Sequence, residues 1–288
     1  MEIKELLTGF AQLTLFSVML SMGMSLGFEG ITLLWRRPGL LVRSFLAAFL
    51  VVPLAALVVT HLLPLSLEVR AGIGAMAIMP GAPVTYRKML KGPGDKNLAG
   101  SFQATMALLS IVLVPLWVVI IVALFPNLAS APVATVFKQV MLAQVIPLVV
   151  GAAISHWLPE LTQDYGDSVF RISTAMLIAV LVLVLAIGLP LVLKAGVIQV
   201  LAVIIMAAVA LLAGHLLAGP NPMTSQTIAV ANATRNAGLA LVLMTLNFPN
   251  VKHEILTTIA AYAVISAIAG AIYTRLNQRN LTRVAEPS

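Results

Sequence analysis

The feature that most restricts this chain is the length of its uncharged apolar runs. Segment after segment stays apolar for twenty or more residues, and stretches such as Val180-Leu181-Val182-Leu183-Val184-Leu185 are apolar on every face. Crossing the hydrocarbon core of a bilayer takes about 20 residues of helix. Nine stretches qualify, at about 6–27, 39–63, 68–92, 96–124, 133–157, 170–193, 196–218, 222–247 and 251–274. Unpaired backbone is not tolerated in lipid, so these are helices or the strands of a closed barrel. Barrel strands alternate apolar and polar residues, and these runs do not. The predicted fold class is therefore an all-α polytopic membrane protein with about nine transmembrane helices in one domain, residues 1–288. Charged residues make up only 9% of the chain, against about a quarter in soluble domains, which is too few for a polar skin.

The net charge of +7 is spread between the apolar runs instead of being gathered on one face, so no nucleic-acid partner is expected and the lipid bilayer is. With no cysteine, disulfides, thiolate metal sites and cysteine nucleophiles are excluded. The first segment opens with Glu2, Lys4 and Glu5, lacks the basic start of a signal peptide and reads as a mature helix. Basic residues of alternate loops then set the orientation. One set holds Arg36, Arg37, Arg43, Arg87, Lys88, Lys91, Lys96, Arg171, Arg275, Arg279 and Arg283; the other holds Lys4, Arg70, Lys138, Lys194 and Lys252. The excess in the first set predicts an outside N-terminus and a cytoplasmic C-terminus, in a bacterial inner (plasma) membrane. It also places the acidic loop around Glu160, Asp164 and Asp167 inside and makes 276–288 a cytoplasmic tail.

Two stretches are interrupted. The second half of the third reads Met79-Pro80-Gly81-Ala82-Pro83-Val84-Thr85-Tyr86-Arg87-Lys88, where two prolines three apart remove backbone donors and bend the chain. The eighth contains Ala231-Asn232-Ala233-Thr234-Arg235-Asn236-Ala237-Gly238, with a charge that costs at least about 2.5–3.5 kcal/mol at the bilayer centre unless it faces a cavity, a partner or a substrate. Taken singly, a proline kink is architectural and a lone membrane arginine caps carbonyls. Paired interruptions in the two halves of a chain, about 1–125 and 130–275, point instead to a secondary transporter built of inverted repeats with a midplane site.

Met19-Leu20-Ser21-Met22-Gly23-Met24-Ser25-Leu26, Phe49-Leu50-Val51-Val52-Pro53, Pro80-Gly81-Ala82-Pro83 followed by Lys91-Gly92-Pro93-Gly94-Asp95, and Arg235-Asn236-Ala237-Gly238-Leu239-Ala240 occur in the order and spacing of the bile acid:sodium symporter family, which the chain resembles over nearly its whole length. The resemblance implies a panel domain, a core domain with two broken helices that cross, and alternating access for an organic anion coupled to sodium. Ten-span members carry one more helix at the start, so the chain would begin at their second. It departs from the pattern at the sodium ligands. Thr85-Tyr86 replaces Ser-Asn after the first break, Ala99 and Gln103 stand where hydroxyls are expected, Ala48 replaces a glutamine, Ala231 the shared glutamate and Arg235 a glutamine. Sodium needs several hard oxygens and is repelled by a guanidinium. The chain thus resembles a divergent subgroup without the usual sodium-ligand side chains.

The candidate substrate-binding residues are Thr85, Tyr86, Gln103, Asn232, Thr234, Arg235 and Asn236, with Pro80, Gly81, Pro83 and Gly238 as helix breakers. A carboxylate substrate suits this field, with Arg235 as a bidentate partner. No resident cofactor is expected; sodium, for which only Thr85, Gln103 and Asn232 remain, or protons are the possible coupling ions. Arg87, Lys88 and Lys91 read as cytoplasmic anchors and Asp95 as a helix cap, with a proton carrier or partner of Arg235 as its alternative. His61, His156 and His253 lie near span ends, His215 lies deeper, Gln139 and Gln144 read as interhelical glue, and Gly23 with Gly27 as a packing motif. No hydrolase or nucleotide-binding motif is present, so a membrane enzyme is disfavoured, and a receptor or scaffold would leave the breaks without purpose. Substrate identity and oligomeric state are not written in the sequence. Single cysteines at Ile3 and Ser288 are expected to react with an impermeant maleimide from opposite sides of the membrane; reaction from one side would contradict an odd number of crossings.

Overall fold

The computed structural model of the chain describes residues 3–90, 92, 94–124, 132–193, 196–247 and 253–285. Lys91, Lys194, Lys252 and Ser288, used above for topology, lie outside the described residues. Every described element is helical. In chain order these are α1 (Ile3–Ile31), a 3-10 turn (Leu33–Arg36), α2 (Pro38–Leu46), a π turn (Ala47–Val51), α3 (Val52–Leu62), α4 (Leu67–Ile78), α5 (Pro83–Met89) and α6 (Lys96–Leu124). There follow α7 (Val133–Val140), a second π turn (Met141–Val145), α8 (Ile146–Trp157), α9 (Pro159–Leu193), α10 (Val197–Leu217), α11 (Pro222–Ala233), α12 (Ala237–Asn247) and α13 (His253–Ala285). Among the described residues eight helices are long and apolar enough to cross a membrane. The stretch at 68–92 is not one of them: α4 and α5 are separated at residues 79–82, whereas 222–247 is counted as one span across the shorter interruption at 234–236.

Local sequence sets these boundaries. Proline stands at the first turn of α2, α5, α9 and α11, where its missing N–H has no helical partner to lose. The two halves of the chain start their interrupted helices alike: Ser66 Oγ accepts from the Val69 N–H at 3.3 Å and Asn221 Oδ1 from the Thr224 N–H at 2.9 Å. The helices they open, α4 and α11, each run 12 residues before breaking. One expectation is corrected. The acidic segment with Glu160, Asp164 and Asp167 is not a loop but the opening turns of α9, started by Pro159 with Glu160 beside the positive end of the helix dipole. Residues 276–285 continue α13 as helix.

Polarity is distributed as lipid solvent requires. Leu62, Val112, Leu116, Ile172, Leu212, Leu216 and Ile272 are exposed along the helices. The interior, by contrast, holds Gln103, Gln144, Gln226, Thr227, Asn232, Arg235 and Asn236. Each of these groups has to find partners inside the protein. The chain is an integral, multi-pass membrane protein.

With lipid outside, helices are held together by close packing rather than by expulsion of water. The tightest example joins α1 to α8. A Cβ on Gly23 would lie 2.1 Å from the Leu148 carbonyl oxygen, and one on Gly151 would lie 2.1 Å from that of Leu20. Two backbones thus touch at a reciprocal pair of glycines. Gly27, the other member of the motif, instead takes φ 57° and bends the end of α1. Gly23→Ala and Gly151→Ala are each expected to destabilise the protein by about 3 kcal/mol or more, since the obstructing atoms are backbone. Gly9→Ala, with nothing within 4 Å of its Cβ, should leave the melting temperature of the detergent-purified protein unchanged or slightly raised.

Candidate functional site

Pro53 begins the construction of the site. In the π turn the Val52 N–H turns back to the Ala47 carbonyl, so the next donor in that register, for Ala48, would be residue 53. In ordinary α register residue 53 would serve Phe49. It is a proline and serves neither. Both carbonyls are taken by side chains: Ala48 O accepts from Arg235 Nη2 at 2.9 Å and Phe49 O from Trp117 Nε1 at 2.9 Å. The second π turn stands at the same distance before Pro147, and from it Gln144 Oε1 accepts from Asn236 Nδ2 at 3.0 Å.

The two breaks meet. Residues 79–82 and 234–236 leave the helical conformation and pair with each other, Asn236 N–H donating to Met79 O at 2.9 Å and Ala82 N–H to Thr234 O at 3.3 Å. The bonded contact is thus made by Met79–Ala82, not by Pro83–Tyr86, which wind into α5. Gly81 has φ +78°, and a Cβ there would come within 3.0 Å of Met106 Cβ, so both conformation and space require glycine. Its carbonyl accepts from Gln103 Nε2 at 2.6 Å. Tyr262 Oη donates to Ala233 O at 3.2 Å. Asn236 Oδ1 accepts from Leu239 N–H at 3.0 Å and restarts the helix. For this reason Gly238 is not part of the break: it lies inside α12, and the break ends at Asn236.

Arg235 fills the centre of the crossing at 2% exposure. Its Nε donates to Met76 O at 3.1 Å, Nη1 to Asn232 O at 3.5 Å, and Nη2 to both Ala48 O and Ala77 O. Met76 and Ala77 end α4 and Asn232 ends α11, so the cation sits on the negative ends of two helix dipoles. No Asp or Glu occurs among the described buried residues. Of the five N–H groups a guanidinium carries, these bonds leave one on Nη1. The bidentate grip on a carboxylate expected from the sequence is not open in this arrangement.

The remaining sequence-predicted residues divide. Thr234 contributes its carbonyl, while its hydroxyl bonds back to Val230 O at 2.8 Å. Asn232 Nδ2 donates to Ala210 O at 2.8 Å, but Asn232 Oδ1 and Thr85 Oγ1 are buried without a partner. Tyr86 turns to α6, where its ring lies beside Gly100. Arg87 is not a surface anchor: it is 9% exposed and reaches across to α1 and α9. Asp95 is the helix cap, Oδ1 accepting from the Asn97 and Leu98 N–H groups at 3.0 Å each. His61, His156 and His253 are exposed, and His215 Nδ1 lies 2.6 Å from Tyr273 Oη. Gln139 and Gln144 do join helices, and both also belong to the site. Gln139 and Asn247 exchange amide hydrogen bonds at 2.7 and 3.4 Å between α7 and α12. Beside them a cavity of about 440 Å³ opens between α1, the second π turn and α12, lined by Gln12, Phe16, Gln139, Leu142, Ala143 and Val242 among others. Ala143 lines it, and the next residue, Gln144, bonds Asn236 of the crossing.

The family model described as Sodium Bile acid symporter family matches residues 12–199, well over half of the chain and including the first break and both π turns. The chain belongs to this family. No curated protein matches it significantly. Family membership makes the protein a transporter, and members of this symporter family are transporters rather than enzymes. Trp117, Tyr262 and Gln144, absent from the predicted site, complete the crossing. Trp117 and Tyr262 carried a usable signal, each being a hydrogen-bonding aromatic in the middle of an apolar run.

Replacing Arg235 by Met should destabilise the protein by about 3 kcal/mol or more, since several buried carbonyls lose their donor at once. Gln103→Met, which leaves only Gly81 O unpaired, should cost about 1 kcal/mol. Thermal unfolding of detergent-purified variants reads the difference; equal shifts would mean that Arg235 does not bind the crossing together.

Proposed function

We propose that this transporter carries a small organic anion by alternating access, with Arg235 acting as a tethered cation at the crossing in place of bound sodium. The observation that carries the reading is the Arg235 guanidinium, buried on backbone carbonyls of both broken helices and of the first π turn with no carboxylate among its partners. A buried charge held only by dipoles is stabilised further by a guest of opposite sign, and the 440 Å³ cavity between α1, the second π turn and α12 is of the size that holds small organic ligands. Its apolar walls and its amides, Gln12 and Gln139, suit a carboxylate with an apolar body. Residues 1–125 and 130–275 act as the two inverted repeats, with the N-terminus outside and the C-terminus in the cytoplasm of a bacterial plasma membrane.

The three positions stripped of oxygen ligands support independence from sodium. Ala48 and Ala231 pack into one apolar cluster with Phe49, Leu98, Phe102 and Met106, and Ala99 packs with Met89 and Val230. A sodium ion there would face methyl groups. One observation favours a second reading, a rearranged ion site: Thr85 Oγ1 and Asn232 Oδ1 are buried oxygens without donors. Uptake of a panel of carboxylates into proteoliposomes, with sodium exchanged for choline, decides between them. Uptake changing less than about twofold on exchange, a difference of under roughly 0.5 kcal/mol in binding, is expected. A steep sodium dependence abolished by Thr85→Val or Asn232→Leu would establish the second reading. Arg235→Ala should abolish anion binding, and Arg235→Lys should keep part of it because charge survives while the planar geometry is lost.

A further inference from the structure

Arg87 lies at the end of α5 and bonds only neutral groups on other helices. Nη1 donates to Phe170 O at 3.1 Å and to Thr174 Oγ1, and Nη2 donates to Ser173 Oγ at 2.9 Å and, more weakly, to Ser21 Oγ at 3.4 Å. The guanidinium carbon lies 4.2 Å from the centroid of the Phe170 ring. One side chain of the broken-helix unit is thereby tied to α9 and to α1, the helix locked to α8 by Gly23 and Gly151. Nearer the start of α1 the 440 Å³ cavity opens between α1, the second π turn and α12.

From this geometry we infer that Arg87 is a releasable latch between the unit containing α5 and the α1–α9 side, holding this end closed while the cavity end is open. The chemistry of its partners suits release. Carboxylate pairs roughly double the strength of a guanidinium hydrogen bond, and here there is none. The acceptors also keep their own bonds when Arg87 leaves: Ser173 Oγ donates to Phe170 O at 3.1 Å and Thr174 Oγ1 donates to the same oxygen at 2.6 Å. Parting the contact therefore leaves α9 satisfied and asks only that the guanidinium find water, which the opening itself admits. A contact with two self-consistent arrangements is what a two-state element needs. In the transport reading, on which only this consequence rests, the latch sets the balance between the two access states.

The absence of cysteine allows a direct test on purified protein in lipid nanodiscs without any substrate, so that failure of the latch and failure of the transport reading show separately. Met22, 1% exposed, stands next to Ser21 and one turn before Leu26, which packs over Gly100 of α6. A single cysteine at Met22 reports opening at this end, and one at Ala207, 1% exposed in α10, reports general loosening. Arg87→Met should raise maleimide labelling at position 22 by about tenfold, as expected for an open state lifted from a few per cent, leave position 207 unlabelled, and be partly reversed by Arg87→Lys. The double change Ser173→Ala, Thr174→Val, which leaves Arg87 in place, should act in the same direction. Unchanged labelling at position 22 in both variants overturns the latch. So does equal labelling at 22 and 207, which would make Arg87 a support of the whole fold.

Discussion

The structure depends on how irregular backbone is satisfied where water is absent. Each break leaves helix-terminal carbonyls and amides in the protein interior, and the two breaks answer each other through the paired bonds between Asn236 and Met79 and between Ala82 and Thr234. What remains is met by long side chains from other helices: Gln103 on Gly81, Tyr262 on Ala233, and above all Arg235 on Met76, Ala77, Ala48 and Asn232. An arginine that would be costly on a lipid-facing helix is stabilised here by the negative ends of two helices. It binds α4, α11 and the first π turn into one unit.

Proline is the recurring cause. Pro80 lies in the first break and Pro83 ends it, while Pro53 leaves the carbonyls of Ala48 and Phe49 free to accept from Arg235 and Trp117. The π turn before Pro53 is thus a connector, turning a defect of one helix into the anchor of another. Its counterpart before Pro147 reaches the crossing through a side chain instead, Gln144 Oε1 accepting from Asn236, and lines the cavity with Leu142 and Ala143.

Two arginines show how differently a buried charge can be used. Arg235 is held by carbonyls that have few other donors, so its removal strands them, and its place is fixed. Arg87 is held by hydroxyls that are already bonded within their own helix, so its removal strands nothing on α9. Both have the same side chain and both are buried, Arg235 at 2% exposure and Arg87 at 9%. The difference lies in whether the acceptors are self-sufficient, and that decides between a structural pin and a moving contact.

The sequence by itself determined the class of solvent, the helical character and the positions of the interruptions, because twenty-residue apolar runs and prolines act locally on the chain. Ala48, Ala99 and Ala231 were also legible as missing oxygens. The partners were not. Arg235 was expected to offer a bidentate face and here bonds carbonyls; Arg87 was expected at the membrane surface and lies buried on α1 and α9; Gly238 was expected in a break and lies inside a helix. For the two arginines the residue type was readable, but most of their acceptors lie far away in sequence, Ala48, Met76 and Ala77 for Arg235 and Phe170, Ser173 and Thr174 for Arg87. Which carbonyl is left free depends on register within a turn, and which side chain reaches it depends on how helices cross. Only the tertiary structure brings those atoms within hydrogen-bonding distance.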